Sequence, residues 1–266
     1  MTSNDFSGDG LKVLLRTDRL AVVVKPEGMM VHRTKIASHE TVFLVDLARE
    51  QFGCRIHPVH RLDRGTSGAL LLAFDAPTAS VLGEQMMAGA IRKTYLAVVR
   101  GWMTEERLID KPLGAVKDEA LGRQVEELKP ASTRILPLAT ATVPVASAPY
   151  EATRLSLIAA QPLTGRRHQI RRHLKFVSHP IIGDATYGKG PLNRALADYF
   201  GEGRLMLHSA GIAFRDPETE EELTVRAPLE GAFRRIAQRL GWLEALEDLP
   251  IPSIASGAET LRDARP

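Results

Sequence analysis

An α+β fold is predicted by three features of this 266-residue chain. Strand-like and helix-like segments follow one another without the regular alternation that a doubly wound parallel sheet requires. No segment repeats. The first helical segment follows no glycine-rich phosphate loop, so a dinucleotide-binding reading has no support.

Residues 1–10 (MTSNDFSGDG) are small and polar, and are expected to be disordered. Residues 11–16 and 20–25 read as two strands about Thr17, Asp18 and Arg19. Residues 41–52 have helical spacing, with Val42, Val45 and Ala48/Arg49 on successive turns. Residues 68–74 (GALLLAF) form a short apolar run bounded by turn residues, the pattern of a buried strand. Residues 77–89 predict a helix with Pro77 in its first turn, and residues 93–100 a strand rich in Val. Residues 103–149 read as a loop-rich connection with one or two strands, such as 132–137. A further strand is expected over 153–160, then a basic amphipathic helix over 165–177. Strands at 205–214 and 222–226, a helix at 231–240 and a disordered tail over 246–266 complete the reading.

A hydrophobic fraction of 44% and a charged fraction of 25% exclude collagen-like, disordered and disulfide-scaffold chains. The net charge of +3 is only a weak pointer to an anionic partner, so the placement of charge must decide. Cys54 is the one cysteine, which rules out an intrachain disulfide and a cysteine-based zinc site. The polar start has no secretion signal and no apolar run is long enough to span a bilayer, so a cytoplasmic protein away from membranes is expected.

Two stretches carry chemistry. In residues 164–175 (TGRRHQIRRHLK), helical spacing puts Arg167, Arg171 and Lys175 on one face and Ile170, Leu174 and Val177 on another. A solvated basic face and a phosphate-binding face both fit this charge pattern. In residues 57–68 (HPVHRLDRGTSG), Asp63 sits between Arg61 and Arg64, on a loop feeding a strand. Flanking guanidiniums favour the ionised carboxylate, which can serve as nucleophile or base. A surface turn with a local ion pair fits as well, and the spacing of His57, His60 and Asp63 leaves a metal site as a remoter option.

Residues 24–28 (VKPEG), 60–68 (HRLDRGTSG), 93–101 (KTYLAVVRG), 164–173 (TGRRHQIRRH) and 179–188 (HPIIGDATYG), followed by 205–209 (LMLHS), are five blocks whose order resembles the RluA-type family of pseudouridine synthases. The resemblance implies a bent, mostly antiparallel central sheet with flanking helices and an active-site cleft across it. It makes Asp63 the catalytic aspartate and Arg171 its basic partner. Tyr95 becomes the tyrosine that lies against the flipped base and takes part in proton transfer, and Arg61 the arginine that enters the RNA stack where that base leaves. His60, Arg64, Thr66, Arg166, Arg167, His168 and Arg172 are the expected substrate-binding residues. The family uses no cofactor, nucleotide or metal.

The synthase-like sequence begins by about residue 11, so a catalytic domain over 11–245 without an S4 RNA-binding domain is expected, as a monomer. Val31–Arg33, Arg171–His173 and Gly188–Arg194 (GKGPLNR) resemble the TruC branch, which acts on tRNA at uridine-65. Tyr187 departs from that branch, where a histidine is expected. Ribosomal RNA, alone or with tRNA, is the alternative substrate, and a non-enzymatic RNA-binding protein is the alternative from another class.

Overall fold

The structure, a computed structural model, describes residues 10–33, 42–114, 127–247 and 249–253. The disorder expected for residues 1–9 and 254–266 lies outside them. In chain order the elements are β1 (Val13–Arg16), β2 (Leu20–Lys25), α1 (Leu44–Phe52), β3 (His57–Pro58), β4 (Ser67–Ala73), α2 (Ala76–Met87), β5 (Arg92–Arg100), β6 (Arg107–Asp110), β7 (Ser132–Val143), β8 (Thr153–Pro162), α3 (Gln169–Phe176), α4 (Gly190–Phe200), β9 (Leu207–Arg215), β10 (Glu222–Arg226) and α5 (Gly231–Arg239). This is the predicted α+β class. The chain divides into two compact units. The first draws on residues up to Tyr95, on Leu207–Glu230 and on residues from Pro250, and the second on Leu96–Met206 and Gly231–Leu249.

In the first unit β2 lies antiparallel between β1 and β4, β3 also pairs antiparallel with β4, and β10 pairs antiparallel with β9. The β1–β2 turn closes where Thr17 N–H donates to the Leu20 carbonyl at 2.9 Å. All seven residues of β4 are buried, as its unbroken apolar run predicted for a strand covered on both faces. One face carries Leu71 into a cluster with Leu20, Val22, Leu82 of α2, Ile212 and Phe214. The N-cap of α2 is Asp75, whose carboxylate accepts from Thr78 N–H at 2.7 Å, with Pro77 in the first turn.

The parallel pairing of β4 with β9 is short: Ser67 faces His208 and Gly68 faces Ser209. Gly68 holds φ at +106°, and a Cβ there would sit 2.2 Å from the Ser209 carbonyl oxygen. No side chain fits, because both the backbone angle and the strand approach reserve the place for glycine.

In the second unit β6, β7 and β8 form an antiparallel run. Helix α3 packs against β7 and β8, burying Ile170 and Leu174. β7 runs to Val143, well past the expected end at 137, because the break that Pro137 suggests is absorbed by a register irregularity between Pro137 and Ala139. Helix α3 starts at Gln169, four residues after the expected start. His168 before it takes a left-handed backbone with φ 55°, and the Gln169 side chain turns back to accept from Arg166 N–H at 3.0 Å and from the Thr164 hydroxyl at 2.7 Å. Helix α4 was not anticipated, although Leu192 and Leu196, four apart and buried, and the proline at its start were available signals. Residues 246–247 and 249–253 also depart from the disordered tail expected from 246. Leu246 closes a 3-10 turn, Leu249 is buried, the Pro250 carbonyl accepts from the Thr94 hydroxyl at 3.1 Å, and Ile251 packs over Gly211. Apolar side chains in that segment find cover that composition could not show.

Among the described residues no helix is long and apolar enough to cross a membrane. Gly68→Ala is expected to destabilise the protein by roughly 2–4 kcal/mol, the scale of imposed backbone strain plus overpacking. Urea unfolding of the variant beside the parent measures it.

Candidate active site

The Asp63 loop is anchored through backbone carbonyls. Lys25, fully buried, donates from its ammonium to the carbonyls of Pro26 at 2.7 Å, Met29 at 2.7 Å and Arg64 at 3.1 Å. The Arg64 carbonyl also accepts from Gly28 N–H at 2.9 Å, and the Arg64 Nε donates back to the Gly28 carbonyl at 3.0 Å. A lysine head has three protons and no acceptor, so each carbonyl satisfies one. The Lys-Pro-Glu-Gly turn after β2 is thereby tied to the loop before β4.

Each position of the loop has its own duty. Leu62 is buried and pins the segment. Asp63 is half-buried, and its carbonyl accepts from Thr66 N–H at 3.0 Å, closing a turn through Arg64 and Gly65. Thr66 is buried. Ser67 Oγ lies 2.8 Å from His208 Nδ1, in the buried parallel contact with β9. Arg61 and Arg64 are exposed. His60 Nε2 accepts from Leu71 N–H at 3.2 Å, which leaves the ring proton on Nδ1. Burial first, then the charge of Lys93, lowers the His60 pKa to about 3, against a smaller opposing pull from the Arg61 backbone. Lys93 is itself lowered to about 8 by burial.

Tyr95, on β5, is buried in the same unit. Burial raises its pKa, the negative charge of Asp63 raises it further, and nearby Ser209 pulls the other way. The phenol therefore stays protonated through neutral pH and faces the field of the Asp63 carboxylate as a proton donor. A partly exposed carboxyl group beside a neutral phenol gives this part of the molecule the means for acid–base or nucleophilic work.

In the second unit, Arg171 is 8% exposed and is held by Asp184 in a fork: Nε donates to Oδ2 at 2.7 Å and Nη2 to Oδ1 at 2.9 Å. Burial pushes the Asp184 carboxyl up, but the bonds and charge of Arg171, with Tyr187 and Thr186 N–H groups, override it and leave the pKa lowered. Those N–H groups each donate to Asp184 Oδ1 at 2.9 Å. The Tyr187 ring lies under the guanidinium at 5.1 Å, and its hydroxyl is 3.0 Å from His168 Nδ1. Tyr187, the departure from the expected histidine, thus supports Arg171 from below.

The remaining basic residues separate. Arg167 precedes α3 and is exposed, so the stripe of Arg167, Arg171 and Lys175 does not form one helical face. Arg166 donates from Nε to the Pro130 carbonyl at 3.1 Å, and Arg172 from Nη1 to the Gly114 carbonyl at 2.8 Å. His57, His60 and Asp63 do not converge, and no group of three potential metal-ligating side chains occurs among the described residues. Sequence reasoning missed the duties of Lys25, Asp184 and the Ser67–His208 pair. An aspartate beside a glycine in an otherwise apolar run, as at Asp184, was the available signal for a buried acid in need of a cation.

The family model described as RNA pseudouridylate synthase matches residues 19–176. A tRNA pseudouridine synthase C of Vibrio cholerae is 38% identical over 239 residues, spanning 89% of this chain and 98% of that protein. The protein of the same name from Haemophilus ducreyi is 39% identical over 234 residues, spanning 87% and 96%, and that from Yersinia pestis 38% over 252 residues, spanning 92% and 98%. Among solved structures, human RNA pseudouridylate synthase domain containing 4 superposes with a TM-score of 0.65 at 25% identity, covering 86% of this chain and 93% of that one.

Two outcomes are expected of the supporting residues. Asp184→Asn leaves the buried guanidinium without its counter-charge and should cost about 3–5 kcal/mol, read by chemical denaturation. For His60, the folded-state pKa of about 3 lies below the ordinary 6.5, so the unfolded chain takes up the proton first. Its contribution is complete above pH 6.5 and is lost as pH falls toward 3. His60→Gln, which keeps an acceptor for Leu71 N–H, should flatten the fall of unfolding free energy between pH 6.5 and 5, as shown by denaturant titrations across that range.

Proposed function

We propose, from the premise that this chain belongs to the RNA pseudouridylate synthase family, that it isomerises uridine to pseudouridine in tRNA, at position 65, with Asp63 as the reacting carboxylate. The observation that carries this reading is the half-buried Asp63 beside a buried, protonated Tyr95, on a loop fixed by Lys25. The names borne by relatives at 38–39% identity, whose own length is matched almost throughout, support tRNA as the substrate.

The isomerisation breaks the N1–C1′ bond and joins C1′ to C5. The hydrogen on C5 is lost and N1 gains one, so the change is internal to the nucleoside. A stacked, paired uridine cannot turn in place and must leave the helix, at a cost of a few kcal/mol. Arg61, exposed at the edge of the loop, has a planar head suited to filling the gap. Attack on C1′ and removal of the 2′ hydrogen are two routes to the detached base, and both begin at the ionised Asp63 oxygen. Tyr95 offers a flat face to the uracil and a proton-bearing oxygen. Arg171, held in a fixed orientation by Asp184, is assigned by its motif as the cation that stabilises the reacting carboxylate.

Asp63→Asn should bind a tRNA transcript with nearly unchanged affinity and lose conversion by at least about 10³-fold. Single-turnover conversion alongside filter binding measures both, and retained conversion rejects the role of Asp63. Pseudouridine mapping in total RNA from a deletion strain should show a loss at tRNA position 65. A loss confined to ribosomal RNA would move the substrate and leave the reaction.

A further inference from the structure

The second unit has another concavity, of about 1040 Å³, that the proposed reaction does not use. It is at the upper end of ligand clefts, roughly 300–1,000 Å³. Two aromatic rings stand at its wall. Trp102, just beyond β5, is 47% exposed, and Tyr150, in the turn between β7 and β8, is 70% exposed. The Trp102 ring and the Tyr150 backbone are held in place. Trp102 Nε1 donates to the Ala141 carbonyl at 3.1 Å. Ser147 N–H donates to the Tyr150 carbonyl at 2.8 Å, and Tyr150 N–H to the Ser147 carbonyl at 3.0 Å. The guanidinium of Arg154 covers the Trp102 ring at 4.4 Å.

The lining is cationic as well as aromatic. Arg100, Arg154 and Lys189 line it against one acid, Glu151. Arg100 donates to the Ser178 carbonyl at 3.4 Å, and Lys189 is exposed. Exposed π faces beside positive charge suit unpaired nucleic acid, whose bases stack while its phosphates meet the cations. A docking groove for an apolar helix would have carried aliphatic walls and no excess of cations. Lys189 also follows Tyr187, the ring beneath Arg171, by two residues, so one loop supports the buried arginine and supplies charge to this pocket.

We propose that this pocket holds an unpaired stretch of the RNA substrate. A base stacks on the Trp102–Arg154 layer or on Tyr150, and the neighbouring phosphates meet Arg100 and Lys189. The proposal rests on the RNA-modifying reading above and adds a subsite that selects RNA with a single-stranded segment.

The chain has two tryptophans, and Trp242 is 3% exposed, so Trp102 is the one open to a stacking base. Full-length protein is titrated with an unmodified tRNA transcript and with a short single-stranded oligoribonucleotide while tryptophan emission is followed. Conversion is measured on the same transcript. Saturable quenching that Trp102→Phe abolishes is expected. Tyr150→Ala and Lys189→Ala should each raise KM at least about fivefold with kcat within about twofold. Lys189→Ala should also flatten the slope of log affinity on log salt by about 0.7. Normal wild-type conversion, with no saturable quenching and unchanged KM in the variants, overturns the proposal. If the wild type converts no tRNA yet the oligoribonucleotide quenches Trp102, the pocket assignment stands and the functional reading falls. If neither occurs, both fall.

Discussion

The ammonium of Lys25 is the constraint from which the rest of the first unit follows. Burying such a charge costs several kcal/mol unless its donors are met, and here three carbonyls meet them, from Pro26, Met29 and Arg64. Two of those belong to the turn after β2 and one to the loop that carries Asp63. Neither segment can move alone without leaving a buried donor unpaired, so a loop with little regular structure of its own acquires a fixed course. Gly68 then brings β4 against β9 where a side chain would collide, and Ser67 and His208 close the contact.

A different solution holds the second charged centre. Arg171 is nearly buried, and its planar head is met by both oxygens of Asp184. Two bonds fix rotation as well as position, which a lysine could not offer. Asp184 is in turn held by two backbone N–H groups, and Tyr187 and His168 complete the surroundings. The acid therefore fixes Arg171 in one orientation.

Much of this was legible before any coordinates. The unbroken apolar run of β4, the hairpin around Thr17–Arg19 and Pro77 in the first turn of α2 each carry a local cause that reads directly from residue type. The start of α3 lies later than the expected 165: Thr164–Gly165 reads as a cap at the helix start, whereas the Gln169 side chain caps Arg166 N–H and the helix begins at Gln169 itself. β7 runs past the strand piece expected over 132–137, because a register shift after Pro137 lets it continue. The Asp63 loop could be found from its flanking arginines and motif. The clamp on it could not, since Lys25 and Arg64 are 39 residues apart and meet only through carbonyls that every sequence possesses.

The division of the chain has a consequence for its birth on the ribosome. The first unit contains residues up to Tyr95 but also Leu207–Glu230, so β9 arrives more than a hundred residues after the loop that needs it. Until Ser67 and Gly68 find His208 and Ser209, the Asp63 loop has its Lys25 clamp, but the far side of β4 waits unpaired. Vectorial synthesis thus leaves the first unit incomplete until most of the polypeptide has emerged.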